Sequence, residues 1–167
     1  MIVTIRQDRR GHLWHVETKT CRRTDWQTQM AVIFAAEGDW QWRRVCVDAT
    51  GLGSMPSELL QNSLGRQRVE LVNFGEQSKA MLATTMYAAF AERVITLRED
   101  PELVQDVKAI RRIILESGKV VYDAPRTALG HADRAWALAL ALQASGIQPP
   151  RQQRVERGPG DFANGVA

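Results

Sequence analysis

The run Val45-Cys46-Val47-Asp48-Ala49-Thr50-Gly51-Leu52-Gly53 constrains the fold more than any other stretch of this chain. Consecutive apolar residues ahead of a turn signal leave no exposed face, so the run reads as a buried strand. Its terminal acid must stand at the rim of a sheet. There Asp48 either accepts hydrogen bonds from the following turn or serves as a functional carboxylate, and position alone does not separate the two. Gly51 and Gly53 let the chain turn away from that rim.

The flanking segments supply a layered scaffold. Residues 1–7 and 12–18 read as two strands of an N-terminal hairpin, with Asp8-Arg9-Arg10-Gly11 as its turn. Asp25 is placed to cap a helix over residues 26–36, which Gly38-Asp39 ends. A helix over residues 54–64 follows the opening strand, then a strand over 69–74 and a long helix to residue 97. Asp100-Pro101-Glu102 starts a helix whose stripe is Leu103, Val107, Ile110 and Ile114. Residues 118–122 read as a strand. The last helix, opening at residue 130 and running to about residue 145, contains Trp136-Ala-Leu-Ala-Leu-Ala-Leu, which alternates with period two. Alanine favours helix and disfavours strand, so helix is expected, packed on more than one side. This order describes an α/β domain over residues 1–148. A Pro-, Gln-, Arg- and Gly-rich tail over 149–167 is expected to be disordered.

Composition narrows the function classes. At 167 residues, 44% hydrophobic and 25% charged, the chain has the make-up of one globular domain. Eighteen of its 22 basic residues are Arg. A guanidinium fork suits phosphate, although a GC-rich genome writes the same bias. The two cysteines, Cys21 and Cys46, form no CxxC pair or Cys/His cluster, which argues against structural zinc. No signal peptide or run of membrane-spanning length is present, so a cytoplasmic, non-membrane location is expected.

Two carboxylates invite chemistry as a pair. Asp48 ends an apolar strand and Asp133 opens an oily helix, where its alternative role is an N-cap or dipole partner. If that helix packs on the sheet, both acids can converge. Hard oxygen ligands so clustered suit Mg²⁺ or Mn²⁺. Two such ions about 3.5–4 Å apart can activate water and stabilise the leaving oxygen of a phosphodiester. His131 and Lys79 lie close in sequence to these positions, although a structural His and a solvated Lys are the commoner roles. Thr50-Gly-Leu-Gly-Ser lacks the Gly-Lys-Ser/Thr of a P-loop and the dinucleotide-binding spacing. The five tryptophans are expected in core and rim packing.

Three motifs in order carry a family resemblance: residues 47–53, then Phe74-Gly75-Glu76-Gln77-Ser78-Lys79, then residues 130–141, Gly130-His131-Ala132-Asp133-Arg134-Ala135-Trp136-Ala137-Leu138-Ala139-Leu140-Ala141. Over roughly residues 1–144 the chain resembles the C-terminal nuclease domain of large terminase subunits of tailed phages, especially Mu-like phages and prophages. The resemblance implies a ribonuclease H-like mixed sheet flanked by helices. It also implies a carboxylate cluster that uses two divalent metals to cut concatemeric double-stranded DNA during packaging. Asp48 would be the second-strand acid and Asp133 the last-helix acid, while Lys79 and His131 match positions usual in the family. Implied partners are the terminase motor domain, the portal and the small terminase, in the bacterial host cytoplasm.

One departure stands out against that family. Its first acid lies on a central first strand, whereas residues 1–18 here resemble its second and third strands. Asp8, in a turn, and Asp39, expected in a loop, are not natural substitutes. The sheet is therefore expected to lack its middle strand, so that the flanking strands pair directly or leave a slot. Truncated or split, such a product could be a non-catalytic prophage remnant or interaction module. A nucleotide-binding α/β protein using the Thr50 loop is the remaining alternative.

Overall fold

The computed structural model describes residues 1–21, 24–50, 54–125 and 132–147. The 149–167 tail and His131 thus lie outside the described residues. Strands β1 (Ile2–Gln7) and β2 (Leu13–Lys19) form the expected antiparallel hairpin. Its turn is closed by Asp8, whose Oδ1 accepts from the Arg10 and His12 N–H groups at 2.8 and 3.0 Å. Gly11 takes a φ of 85°, which a side chain would resist.

Helix α1 (Trp26–Trp40) starts at Asp25, whose Oδ1 accepts from Thr28 N–H at 2.9 Å. It runs beyond the expected stop and passes through Gly38, so Asp39 is helical and pairs with Lys19 rather than lying in a loop. Gln41 ends it in the left-handed conformation, and Trp40 Nε1 donates to Glu17 Oε2 at 2.8 Å, holding the extra turn on the hairpin. Strand β3 (Val45–Asp48), helix α2 (Ser54–Leu64) and strand β4 (Val69–Val72) follow, with β3 parallel to β4.

Helix α3 (Glu76–Ala91) is shorter than expected. Arg93 adopts a φ of 55°, and Ile95–Thr96 becomes a short strand, β5, parallel to β2. The β-branched residues there exchange helical spacing for a sheet partner. Helix α4 (Pro101–Ala109) also stops early. Residues Arg111–Ile114, the last of them expected on its buried stripe, form strand β6, paired antiparallel with β7 (Val120–Asp123). Leu103, Val107 and Ile110 of the expected stripe do face the core, but Ile114 is 61% exposed; cross-strand pairing of Ile113 and Ile114 with Val121 and Val120 decides the conformation there.

The closing helix α5 (Asp133–Ala144) is the spine of the molecule. It packs on α3, α4, β1 and β3, as an all-apolar helix must. Ala135, Leu138, Ala139 and Leu142 are fully buried, and each such Leu contributes roughly 1.5–3 kcal/mol of burial. The strands make a sheet β1-β2-β5, a pair β3-β4 and a pair β6-β7. β1 and β3 each border the same gap without pairing. The described residues form three apolar clusters: one around α3 and α5, one joining Met30, Leu60 and Val69, and a small one of Ala124, Ala132 and Ala135. β3 is consequently half-buried rather than buried, because one of its edges faces that gap.

Candidate functional site

The gap is a cleft of about 760 Å³, bordered by residues 1–5 on one side and β3 on the other. Helix α5 contributes Trp136, Ala137, Leu140, Ala141 and Ala144 to one wall. Asp48, Lys79, Asp123 and Asp133 all line it.

Asp48 stands exposed at the end of β3, as its sequence context requires. Its Oδ1 accepts from Thr50 N–H at 2.9 Å, so it does cap the turn. Thr50 Oγ1 in turn accepts from Phe74 N–H at 2.8 Å, tying the β3 loop to the end of β4. Phe74 meets the buried Trp136 edge-on, with ring centroids 5.7 Å apart. Through this chain of contacts the turn carrying Asp48 is anchored on α5.

Asp133 is exposed in the first turn of α5, but it is not the cap. Ala132 holds that position, with a φ of 58° and no side chain able to accept a hydrogen bond. Asp106 of α4 substitutes, its Oδ2 accepting from Arg134 N–H at 3.1 Å. The Arg134 side chain is buried and pairs with Glu102. Among the described residues no hydrogen bond or ion pair engages the Asp133 carboxylate.

Lys79 lies in the first turn of α3, behind the Ser78 hydroxyl that accepts from Gly75 N–H at 2.9 Å. Its ammonium is 3.4 Å from Asp123 Oδ1 and 5.4 Å from the Trp136 ring centroid. Asp123 escaped the sequence reading, which ended the strand at Tyr122. The signal was available: Val120-Val121-Tyr122-Asp123 repeats the pattern of Val45-Cys46-Val47-Asp48, an apolar strand closed by an acid. Cys46, also on the cleft, has its thiol pushed up to about 12 by burial and by the nearby Glu70 carboxylate, so it is not a ligand-ready thiolate.

Three carboxylates therefore share one cleft with a single lysine close at hand. Their oxygens are the donor type that Mg²⁺ or Mn²⁺ prefers, and Mg²⁺ is commonly held by one or two carboxylates with water completing its shell. Among the described residues, however, no three His, Cys, Asp or Glu side chains are grouped closely enough to hold a metal ion together.

A family model described as terminase RNaseH-like domain matches residues 1–145. Comparison with curated proteins gave no match. Among solved structures, the large terminase nuclease from thermophilic phage G20c with bound cobalt superposes with a TM-score of 0.66 at 18% identity, over 85% of this chain and 79% of that one. The same nuclease with bound magnesium gives 0.59 at 22% identity, over 72% and 62% of the two chains. The Thermus phage P74-26 large terminase nuclease domain gives 0.61 at 16% identity, over 84% and 76%. The mixed α/β arrangement is thus the ribonuclease H-like fold of these nucleases. With nearly all of its described residues inside the matched region, this chain belongs to the terminase RNaseH-like domain family.

Proposed function

We propose that the chain is a divalent-metal-dependent endonuclease domain that cuts concatemeric phage DNA during packaging, with Asp48 and Asp133 as its catalytic, metal-holding carboxylates. The observation that carries this reading is the convergence of Asp48 and Asp133, from opposite parts of the sequence, on one cleft. The magnesium and cobalt bound to the G20c nuclease support the choice of a divalent cation, and carboxylate oxygens suit Mg²⁺ or Mn²⁺. A bound divalent ion would supply Lewis-acid polarisation of the phosphodiester and activation of water. Asp48 is held by its turn, and Asp133 is aimed by a helix end capped from α4. Lys79, balanced by Asp123, presents a cation toward a backbone phosphate. His131 is a further substrate-side candidate by resemblance alone. The partners on this reading are double-stranded DNA, a terminase motor domain, and the portal or small terminase, in the host cytoplasm. No helix among the described residues is long and apolar enough to cross a membrane.

The test is nicking and linearisation of supercoiled plasmid in Mg²⁺ or Mn²⁺, with chelator as control. Cleavage that falls at least about 100-fold in both Asp48→Asn and Asp133→Asn, with the fold retained, supports the assignment. Cleavage unchanged by either substitution overturns it. A second reading, a non-catalytic module of the same fold, is favoured by the lack, among the described residues, of a three-ligand grouping and of a strand pairing β1 with β3. Wild-type protein without cleavage, yet binding duplex DNA, selects that reading.

A further inference from the structure

The sheet β1-β2-β5 has an outer face that is open near the hairpin turn. Leu13 and His15 of β2 are buried, while Trp14 between them, on the middle strand, is 39% exposed. Side chains alternate across a strand, and directly paired residues share a face. Trp14 is paired with Arg6 of β1 and with Thr96 of β5, and both are exposed. The three form one row across the sheet. Two residues back along β1 the face is covered, since Trp42 Nε1 donates to Thr4 Oγ1 at 3.2 Å and Thr4 is buried.

The exposed indole is held in place. Its Nε1 donates to Asp8 Oδ2 at 3.2 Å, and the His12 ring meets it edge-on with centroids 4.9 Å apart. His12 is itself fixed, with Nε2 2.8 Å from Thr96 Oγ1. The Asp8 carboxylate is occupied by the Trp14, Arg10 and His12 N–H groups together. Arg6 stands beside the indole, and Arg9 and Arg10 lie in the turn that Asp8 closes. All three are exposed, and among the described residues no hydrogen bond or ion pair engages their guanidinium groups. Arg44, Arg68 and Arg134, by contrast, pair with Glu70, Glu37 and Glu102. A fixed ring on an open sheet with unpaired arginines at its side suits a partner that is both planar and anionic. Aromatic stacking accepts any base, and guanidinium forks suit phosphate. A duplex keeps its bases stacked on one another and offers the indole none, whereas unpaired bases can splay onto it. An acidic peptide would meet the arginines but leave the ring uncovered.

We propose that this face binds single-stranded nucleic acid, with one base stacked on Trp14 and the neighbouring phosphates held by Arg6, Arg9 and Arg10. The site is separate from the carboxylates: residues 1–5 line the cleft with Asp48 and Asp133, whereas Arg6, Arg9, Arg10 and Trp14 do not. The inference rests on the sheet face, not on the nuclease reading, and a protein that cuts no DNA would still bind the strand.

The probe is a fluorescein-labelled twelve-nucleotide oligothymidylate, titrated with the full chain and followed by fluorescence anisotropy. EDTA is present throughout, so the result is independent of cleavage. Trp14→Leu should weaken binding at least about fivefold, and Trp14→Phe, which keeps a stacking ring, should stay within about twofold of wild type. Replacing Arg6, Arg9 and Arg10 together by Gln should lower the slope of log affinity against log salt by about two, at about 0.7 per phosphate. Photocrosslinking of the same oligonucleotide carrying 5-iododeoxyuridine, read by mass spectrometry, should place the adduct on Trp14, and it decides the matter if Trp14→Leu does not fold. No saturable binding at high micromolar protein overturns the proposal, as does unchanged affinity in folded Trp14→Leu or an adduct confined to other residues. A twelve-base-pair duplex whose binding falls as much in Trp14→Leu would reject a single-stranded occupant. Polyglutamate that displaces the probe as well as unlabelled oligothymidylate does would reject a nucleic acid.

Discussion

The ammonium of Lys79 lies 3.4 Å from Asp123 Oδ1, which joins the start of α3 to the end of β7 at the mouth of the cleft. The Lys79 side chain is 29% exposed and that of Asp123 52%, so water screens the pair. A double-mutant cycle with Lys79→Met and Asp123→Asn should therefore give a coupling of only about 0.2–1 kcal/mol in urea unfolding. A coupling well above that range would mean the pair is structural. If the small coupling is found, Lys79→Met should still weaken duplex DNA binding and lower its salt dependence by about one phosphate contact.

The N-terminus of α5, which carries Asp133, depends on α4. Removing the Asp106 cap with Asp106→Ala should cost about 1 kcal/mol. Glu102→Ala should cost about 1–3 kcal/mol, discounted because Glu102 is 58% exposed, since it leaves the buried Arg134 guanidinium without its acid. Adding Arg134→Met to Glu102→Ala should recover part of that loss, because the stranded charge is gone. Thermal unfolding of the single and double variants checks the order. A double variant less stable than Glu102→Ala would disprove the buried-charge account.

His15 gives stability a pH dependence. It is buried on β2, with Nε2 2.9 Å from Thr18 Oγ1 and no partner for Nδ1 among the described residues. Burial lowers its proton affinity below the ordinary imidazole value of 6.5, against the opposing pull of Asp100. The unfolded chain therefore binds this proton more readily than the folded one. The neutral form's contribution is fully present above pH 6.5 and is lost as pH falls from there through the lowered folded value. Urea titrations between pH 7.5 and 5 (roughly the window in which an imidazole changes charge) should show stability declining toward acid. The decline should flatten in His15→Leu, and an identical slope in the variant would remove His15 as its source.

Local chemistry settled much of this protein from its sequence alone. The hairpin turn at Gly11, the Asp25 cap and the Pro101 helix start are decided within a few residues, so each could be read without a partner. The apolar run ending in Asp48 and the oily helix beginning at Asp133 likewise announced a strand end and a helix start. The three ordered motifs pointed to the family that the match over residues 1–145 establishes. Asp123 was equally legible as an acid closing an apolar strand, but its relevance came from a partner, Lys79, 44 residues away.

Tertiary structure decided the rest, because those choices depend on what lies across a gap. Residues 111–114 and 95–96 satisfy either helical or strand spacing, and only the presence of Val120–Asp123 and β2 as pairing partners made them strands. Ala132 cannot cap α5, so the cap comes from Asp106, a non-local choice no motif encodes. Asp48 and Asp133 both line one cleft because α5 packs on both β1 and β3. The cleft itself is a property of two edges that do not pair, and no single strand's sequence can specify an unfilled place beside it.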